Sequence, residues 1–150
     1  MASNRIHAKG PFQYEEYVST AVTLLPGNLV EMTSAGYVQK HSTAWGRNER
    51  MFVQENALVG KDVNTVLPVS EVTPVLVMGI GSQCYALLAD GESVAIGDRV
   101  GSDGAGCLQK FDEDSAGTDD FAVGVALEAL DLSADSLSTA QLLLIRVGCH

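Results

Sequence analysis

The 150-residue sequence predicts an all-β fold: a compact β-barrel or sandwich, β-tulip-like, built from two pseudo-repeated halves with an N-terminal arm and little helix. Two observations carry this. Fifteen glycines punctuate short apolar runs with no helical heptads, which suits strands joined by tight turns. The chain also says nearly the same thing twice. TLLPGNLVEMTSAGYVQKH, Thr23 to His41, returns seventy positions later as VAIGDRVGSDGAGCLQKF, Val94 to Phe111, with Gly27 on Gly97, Val30 on Val100, Ala35 on Ala105, Gly36 on Gly106, Gln39 on Gln109 and Lys40 on Lys110. An echo of this kind is one supersecondary unit used twice, because a single copy cannot bury its own apolar face.

Residues 1–11 are read as an arm and residues 12–150 as a single β domain, with pseudo-repeats over about 18–80 and 85–148. In the first twenty residues Arg5, His7 and Lys9 precede Gly10-Pro11, and Phe12, Tyr14 and Tyr17 follow. Gly-Pro breaks regular structure. Two fates stand open for the arm: order gained mainly by contact with something else, as clustered aromatics beside basic residues suit an interface, or a frayed terminus.

From Phe12 the chain enters the first strand, and Val18 to Leu25 alternates well enough to continue it until Pro26-Gly27 turns it. Leu29-Val30 leads out, Ser34-Ala35-Gly36 turns, and Tyr37 to Lys40 returns antiparallel. The second copy is punctuated alike, with turns at Gly97-Asp98 and at Ser102 to Gly106. After each hairpin come a polar connection and another strand, and the offset of seventy is expected to persist there, with Met51 on Phe121 and Val53 on Val123. Phe121 to Glu128 has the period of two of a half-buried strand. Each half closes on a continuous apolar run, Pro74 to Met78 and Leu142 to Val147, expected to be buried on both faces. Between the halves Tyr85 to Ala89 is one more strand, ended by Asp90-Gly91, and Ser133 to Thr139 is a loop.

Charge limits the partners. A net charge of −10 argues against a phosphate backbone, which requires an excess of Lys and Arg. Residues 1–61 hold six Lys/Arg against five Asp/Glu, whereas residues 62–150 hold three against fourteen, which suits either a near-neutral side that docks with an acidic side facing water or acidic loops that only keep the domain in solution. Cys84, Cys107 and Cys149 are odd in number and widely spaced, with no disulfide framework and no zinc signature. A reducing compartment is the simplest expectation. No apolar run reaches the ~20 residues that span a bilayer, and the first thirty residues lack signal-peptide order, so synthesis in the cytoplasm without membrane association is expected.

Catalytic sets are missing. His7, His41 and His150 share no common element, and His41 is expected at the surface. Asp112-Glu113-Asp114 and Asp119-Asp120 lack the alternating ligands of a calcium loop and read as a solvated acidic loop. GSDGAG and GIG open no helix after a strand, so no phosphate cradle forms. No catalytic residue, metal or cofactor is expected, and the chain is not expected to be an enzyme. VAIGDRVGSDG is similar to turns of biotinyl and lipoyl carrier domains, but Lys40 and Lys110 end strands instead of occupying the modified turn of those domains.

The ordered words LLPGNLVEMTSAGYVQKHSTA, FVQENALVGKDVNTV, ALLADGESVAIGDRVGSDGAGCLQK, VGVALEALDLS and LLLIRVG resemble the capsid decoration (cement) proteins of tailed bacteriophages, from about Arg5 to Gly148. Leu67-Pro68 departs from the aromatic that often follows Asn-Thr-Val in that family. The resemblance implies a non-enzymatic virion protein on the outer surface of the head that clamps the major capsid protein lattice, forming a homo-trimer or, as the rival, a dimer. An alternative is a head-fibre or receptor-binding accessory protein, which 150 compact residues disfavour by their size; a small β-barrel carrier domain is a further one. Candidate interface residues are Arg5, His7, Phe12, Tyr14 and Tyr17 with Trp45, Arg47 and Arg50. Trp45 beside two arginines has the composition of an interface anchor, or else forms a lid over the barrel end.

Overall fold

A computed structural model describes residues 5–20, 23–57, 60–112, 120–134 and 139–148, and within them thirteen strands with no α-helix. The first half supplies β1 (His7–Lys9), β2 (Phe12–Val18), β3 (Leu29–Met32), β4 (Val38–Lys40), β5 (Met51–Val53) and β6 (Val72–Met78). The second supplies β7 (Gln83–Leu88), β8 (Ser93–Val94), β9 (Arg99–Ser102), β10 (Leu108–Lys110), β11 (Ala122–Ala126), β12 (Leu130–Asp131) and β13 (Gln141–Val147).

These strands make two barrels of one topology. In the second half β7, β10, β9, β11 and β13 pair in that order, and β13 pairs back to β7 to close the ring. In the first half the order is β2-β6-β5-β3-β4, and a parallel bridge from Val38 to Ser19, just past β2, returns β4 to the start. Both rings are antiparallel except at one place. Leu108 on Leu88 is parallel in the second, as Val38 on Ser19 is in the first. The duplication seen in the hairpins therefore extends to the closure of each ring.

The offset is not constant, and the pairing shows where it changes. Met51 pairs with Val77 as Gly124 pairs with Val147, so the counterpart of Met51 is Gly124, not Phe121, and that of Val53 is Ala126, not Val123. The cause is extra chain before β11 together with a register shift between Ala122 and Gly124 on β9. The shift brings the small residues of β11 inward. Gly124 and Ala126 stand opposite the buried Val147 and Ile145, small against large.

In the first barrel β3, β5 and β6 carry two apolar faces because they border two cores. Val30, Val38, Met51, Val53 and Val75 fill the first ring, while Leu29, Phe52, Leu76 and Met78 point the other way, into the core that contains the second half. This explains the unbroken apolar run of β6, whose Thr73 to Leu76 are all buried. β13 looks alike in sequence but differs: Leu143, Ile145 and Val147 are buried, Leu142 and Leu144 are half-buried, and Arg146 is exposed, because no second core lies over its outer face.

Within the segment read as an arm, His7–Lys9 belong to the second barrel's sheet. β1 lies antiparallel to β7, Ile6 is fully buried, and its amide donates to the Glu55 carboxylate at 3.0 Å. The basic residues of this segment obscured its one apolar anchor. Residues 1–4 lie outside the described residues, as do 113–119 of the acidic loop, 135–138 of the last loop, Cys149 and His150.

The repeated turn is built the same way twice. Asn28 Oδ1 accepts the Leu25 amide at 2.8 Å, and Asp98 Oδ2 accepts the Ala95 amide at 2.9 Å, each across a glycine with φ near +93° or +94° that an L side chain would strain. That amide bond, with Lys110 Nζ at 3.2 Å, holds the Asp98 carboxyl below its ordinary range. A carboxyl lowered by folding stabilises the fold above its unfolded value of about 3.9 and loses that contribution as pH falls below it. Asp98→Asn, which copies Asn28, is expected to keep Tm near neutrality and to flatten this part of its acid decline, measured by thermal unfolding against pH.

Candidate functional site

The proposed contact residues fall into two places. The first is the outer face of β2. Antiparallel register puts Leu29, Phe52, Leu76 and Tyr14 in one row across four strands, with Phe12 beside Met78 in the next. Leu29, Phe52 and Leu76 are covered by the second barrel, but the row emerges at β2, where Tyr14 is 46% exposed and Phe12 43%. His7 packs its ring on Phe12 at 4.3 Å between centroids, and its Nε2 lies 2.8 Å from Gly10 O. The Ile80 turn docks against the same end, since Gly79 N–H and Ser82 Oγ–H both donate to Pro11 O; Ile80 itself is 60% exposed. Arg5 is also exposed nearby in sequence.

Tyr17 is turned away from this surface. It lies on the opposite face of β2 and packs partly into the first core, with its hydroxyl donating to Glu15. Tyr14 donates to Glu16 Oε1 at 2.8 Å. Both phenols are raised above their ordinary range, Tyr14 chiefly by burial and Tyr17 chiefly by its bond to Glu15. Arg50 ends at the edge of this region: its carbonyl accepts the Met78 amide at 3.0 Å, and Met78 pairs with Phe12 on the far side. Its backbone is left-handed at φ 56°, and its Nε is buried with no hydrogen-bond partner among the described residues.

The second place is the connection from His41 to Arg50, which lies on the second barrel. Trp45 meets Phe111 edge-on at 4.9 Å, its amide donates to Ser102 O at 3.0 Å, and its carbonyl accepts the Phe121 amide at 2.9 Å. Arg47 stacks over Phe121 at 4.8 Å. Trp45 thus covers the second barrel from the first half's connection and is itself half-buried. Gly101 makes this possible, because a Cβ there would stand 2.6 Å from Trp45 Cε3. Gly101→Ala is expected to cost about 1–3 kcal/mol by overpacking. The single tryptophan gives the readout: its emission should shift to the red as the indole is displaced, alongside the denaturant midpoint.

His41, expected at the surface, is 1% exposed. Its Nε2 faces Arg47 O at 2.8 Å, which can only accept, so Nε2 carries the proton and Nδ1 accepts the Ser102 hydroxyl at 2.7 Å. Ser102 Oγ in turn accepts the Gly104 amide at 3.1 Å. Glu31 stands 3.8 Å from Nε2; burial alone would raise its carboxyl, but hydrogen bonds from Ser42 and Gln39 outweigh that and hold it low. A serine, a histidine and a glutamate in line resemble a nucleophile set, but Ser102 is 0% exposed. The arrangement pins the connection to the second barrel. The signal for it was present in the sequence, since the aligned partner of His41 is the apolar Phe111.

Burial chiefly, and Asp103 after it, push the Cys107 thiol up to about 11, and burial raises Cys84 as well. Both therefore remain thiols near neutral pH. Among the described residues no group of three His, Cys, Asp or Glu is placed to hold a metal ion, and no helix is long and apolar enough to cross a membrane.

No protein-family model and no curated protein matches the chain. Among solved structures it is similar to the head fiber gp8.5 N base of bacteriophage phi29, at a TM-score of 0.56 and 10% identity over 92% of this chain and 95% of that one. At that identity the likeness establishes a shared fold, and it covers nearly the whole of both chains.

Proposed function

We propose that this chain is a bacteriophage head accessory protein that acts by binding, with no catalysis and no cofactor, on the outer surface of the virion head. The observation that carries the reading is the end-to-end fold likeness to a head-fibre base. It also removes the argument from size, because a fibre base is itself a domain that this chain covers almost completely. Within this reading the base of a head fibre is favoured. The second reading is a decoration protein that clamps the major capsid protein lattice, which rests on the resemblance of LLPGNLVEMTSAGYVQKHSTA and the words that follow it.

The physics is shared by both. A subunit that touches several capsid proteins leaves only when all contacts release together, so modest patches give lasting attachment. The exposed Phe12 and Tyr14, continuous with a buried apolar row, provide a patch of the aromatic composition that interfaces favour. A homo-trimer on a local threefold axis, or a dimer on a twofold, would multiply it. The acidic surplus keeps the outward side solvated.

Co-sedimentation of the purified protein with intact heads of the phage that encodes it tests the proposal. Saturable binding at a fixed ratio to capsid subunits is expected, and absence of binding to intact heads overturns it. A low ratio confined to a few lattice positions supports a fibre base, whereas a ratio near that of the capsid subunits, with a raised melting temperature of the heads, supports cementing.

A further inference from the structure

We infer that the outer edge of β2 is a docking slot for an extended, alternately apolar and cationic segment of another protein, which adds to the first barrel as a strand antiparallel to β2. The inference comes from comparing the two barrels and does not depend on the phage-head reading.

In the second barrel, the edge of β7 that faces away from β13 is filled along its length. The Ala89 amide donates to Leu108 O at 2.8 Å, the Leu87 amide to Gly27 O at 3.0 Å and the Tyr85 amide to Ile6 O at 2.8 Å, while Lys9 pairs with Gln83. The counterpart of the Ala89 bond in the first barrel is the Thr20 amide on Val38 O at 3.1 Å. Carried back along β2, the counterparts of Leu87, Tyr85 and Gln83 are Val18, Glu16 and Tyr14. Hydrogen-bonded pairs of an antiparallel ladder alternate. Ser19 bonds Glu71 and Gly79 bonds Pro11, so the amides of Val18, Glu16 and Tyr14 point away from β6. Among the described residues none of these amides has a partner. The twin barrel's slot holds β1; among the described residues this one is open.

A bare strand edge invites pairing, and the chemistry around this one selects the occupant. The exposed side chains on its face are Phe12, Tyr14 and Glu16, with Glu15 half-buried behind them. β2, FQYEEYV, carries two carboxylates and no cation. Two copies of it paired edge to edge would set acidic residues against each other, which disfavours a second copy of this chain. The residues that fill the equivalent slot, Ile6-His7-Ala8-Lys9, alternate apolar and basic side chains and run antiparallel to β7. An occupant of that type would lay its apolar groups along Phe12 and Tyr14 and turn its cations to the opposite face, beside Glu15. It would also extend the row that the second barrel already covers at Leu29, Phe52 and Leu76. Main-chain bonds supply the affinity and alternate side chains the selectivity.

The test uses the intact protein and a blocked synthetic peptide with the sequence of residues 5–11, RIHAKGP, as a surrogate occupant. Amide hydrogen exchange is followed residue by residue by NMR. Saturating peptide is expected to slow exchange at Tyr14, Glu16 and Val18 by about tenfold or more, and a peptide with its Arg and Lys replaced by Glu to give no protection. Glu16→Pro, which removes an amide that the fold does not use, should keep Tm and abolish the protection. Glu15→Lys, which retains the amide, should weaken binding of the basic peptide. Protection confined to other residues, equal protection by the acidic peptide, or exchange changed only around Tyr85 because the peptide displaces β1 would each overturn the proposal. Protection that rises with protein concentration in the absence of peptide would place a second copy in the slot and overturn it as well.

Discussion

Ile6→Ala is expected to destabilise the protein by about 2–4 kcal/mol, the range for truncating a fully buried aliphatic side chain that leaves a cavity. Ile6 is 0% exposed in the core that holds Cys84, Leu88 and Ile145, and it sits at the start of the strand that fills the β7 edge. Deleting residues 1–11 should cost more. It would leave the Tyr85 amide without its acceptor and the buried Glu55 carboxylate without the Ile6 amide, and each buried group left unpaired adds about 1–3 kcal/mol. An arm that only reached for a partner would be removable without loss of folding; removal of this one is expected to impair it. Chemical denaturation of both variants, with Ala8→Gly as a mild control in the same strand, measures the effect.

The second large effect is expected at Gly124. A Cβ on this residue would lie 2.2 Å from the backbone oxygen of Arg146, and backbone cannot swing aside as a side chain can. Gly124→Ala is expected to cost about 3 kcal/mol or more, at or beyond the upper end of overpacking effects. Gly36→Ala provides the contrast. Gly36 has φ +85° but nothing within 4 Å, so the cost there is the strain of a left-handed residue, about 1 kcal/mol. The ratio between the two midpoints, measured by urea unfolding, separates steric contact from backbone conformation.

The duplicated hairpins were legible because glycine must stand where the chain reverses, and Gly27 with Gly97 and Gly36 with Gly106 keep that spacing. The place where the repeat slips was not legible. Register at β11 is set by a bulge and by the fit of Gly124 and Ala126 against Val147 and Ile145, which is a property of three strands together. The apolar runs at β6 and β13 read alike in sequence, yet only β6 lies between two cores. Composition cannot reveal which neighbour covers the outer face. Only the alignment of His41 with the apolar Phe111 signalled its burial, and its partners, Ser102 and the Arg47 carbonyl, were not legible because they come from the other half and from the backbone.

Of the proposed contact residues, those with the most information were the aromatics of β2. Alternation along FQYEEYV separates Phe12 and Tyr14 from Tyr17, a distinction that follows from the period of two once the strand's start is known. Trp45 required the structure, since nothing in its flanking residues announces Gly101 and Phe111 as its floor.

Electron cryo-microscopy of heads purified with and without the protein tests the proposed head-binding role most directly. Double-barrel density at fixed lattice positions on the outside of the head, present only when the protein is added, is the expected result. Heads that stay bare at saturating protein would contradict it.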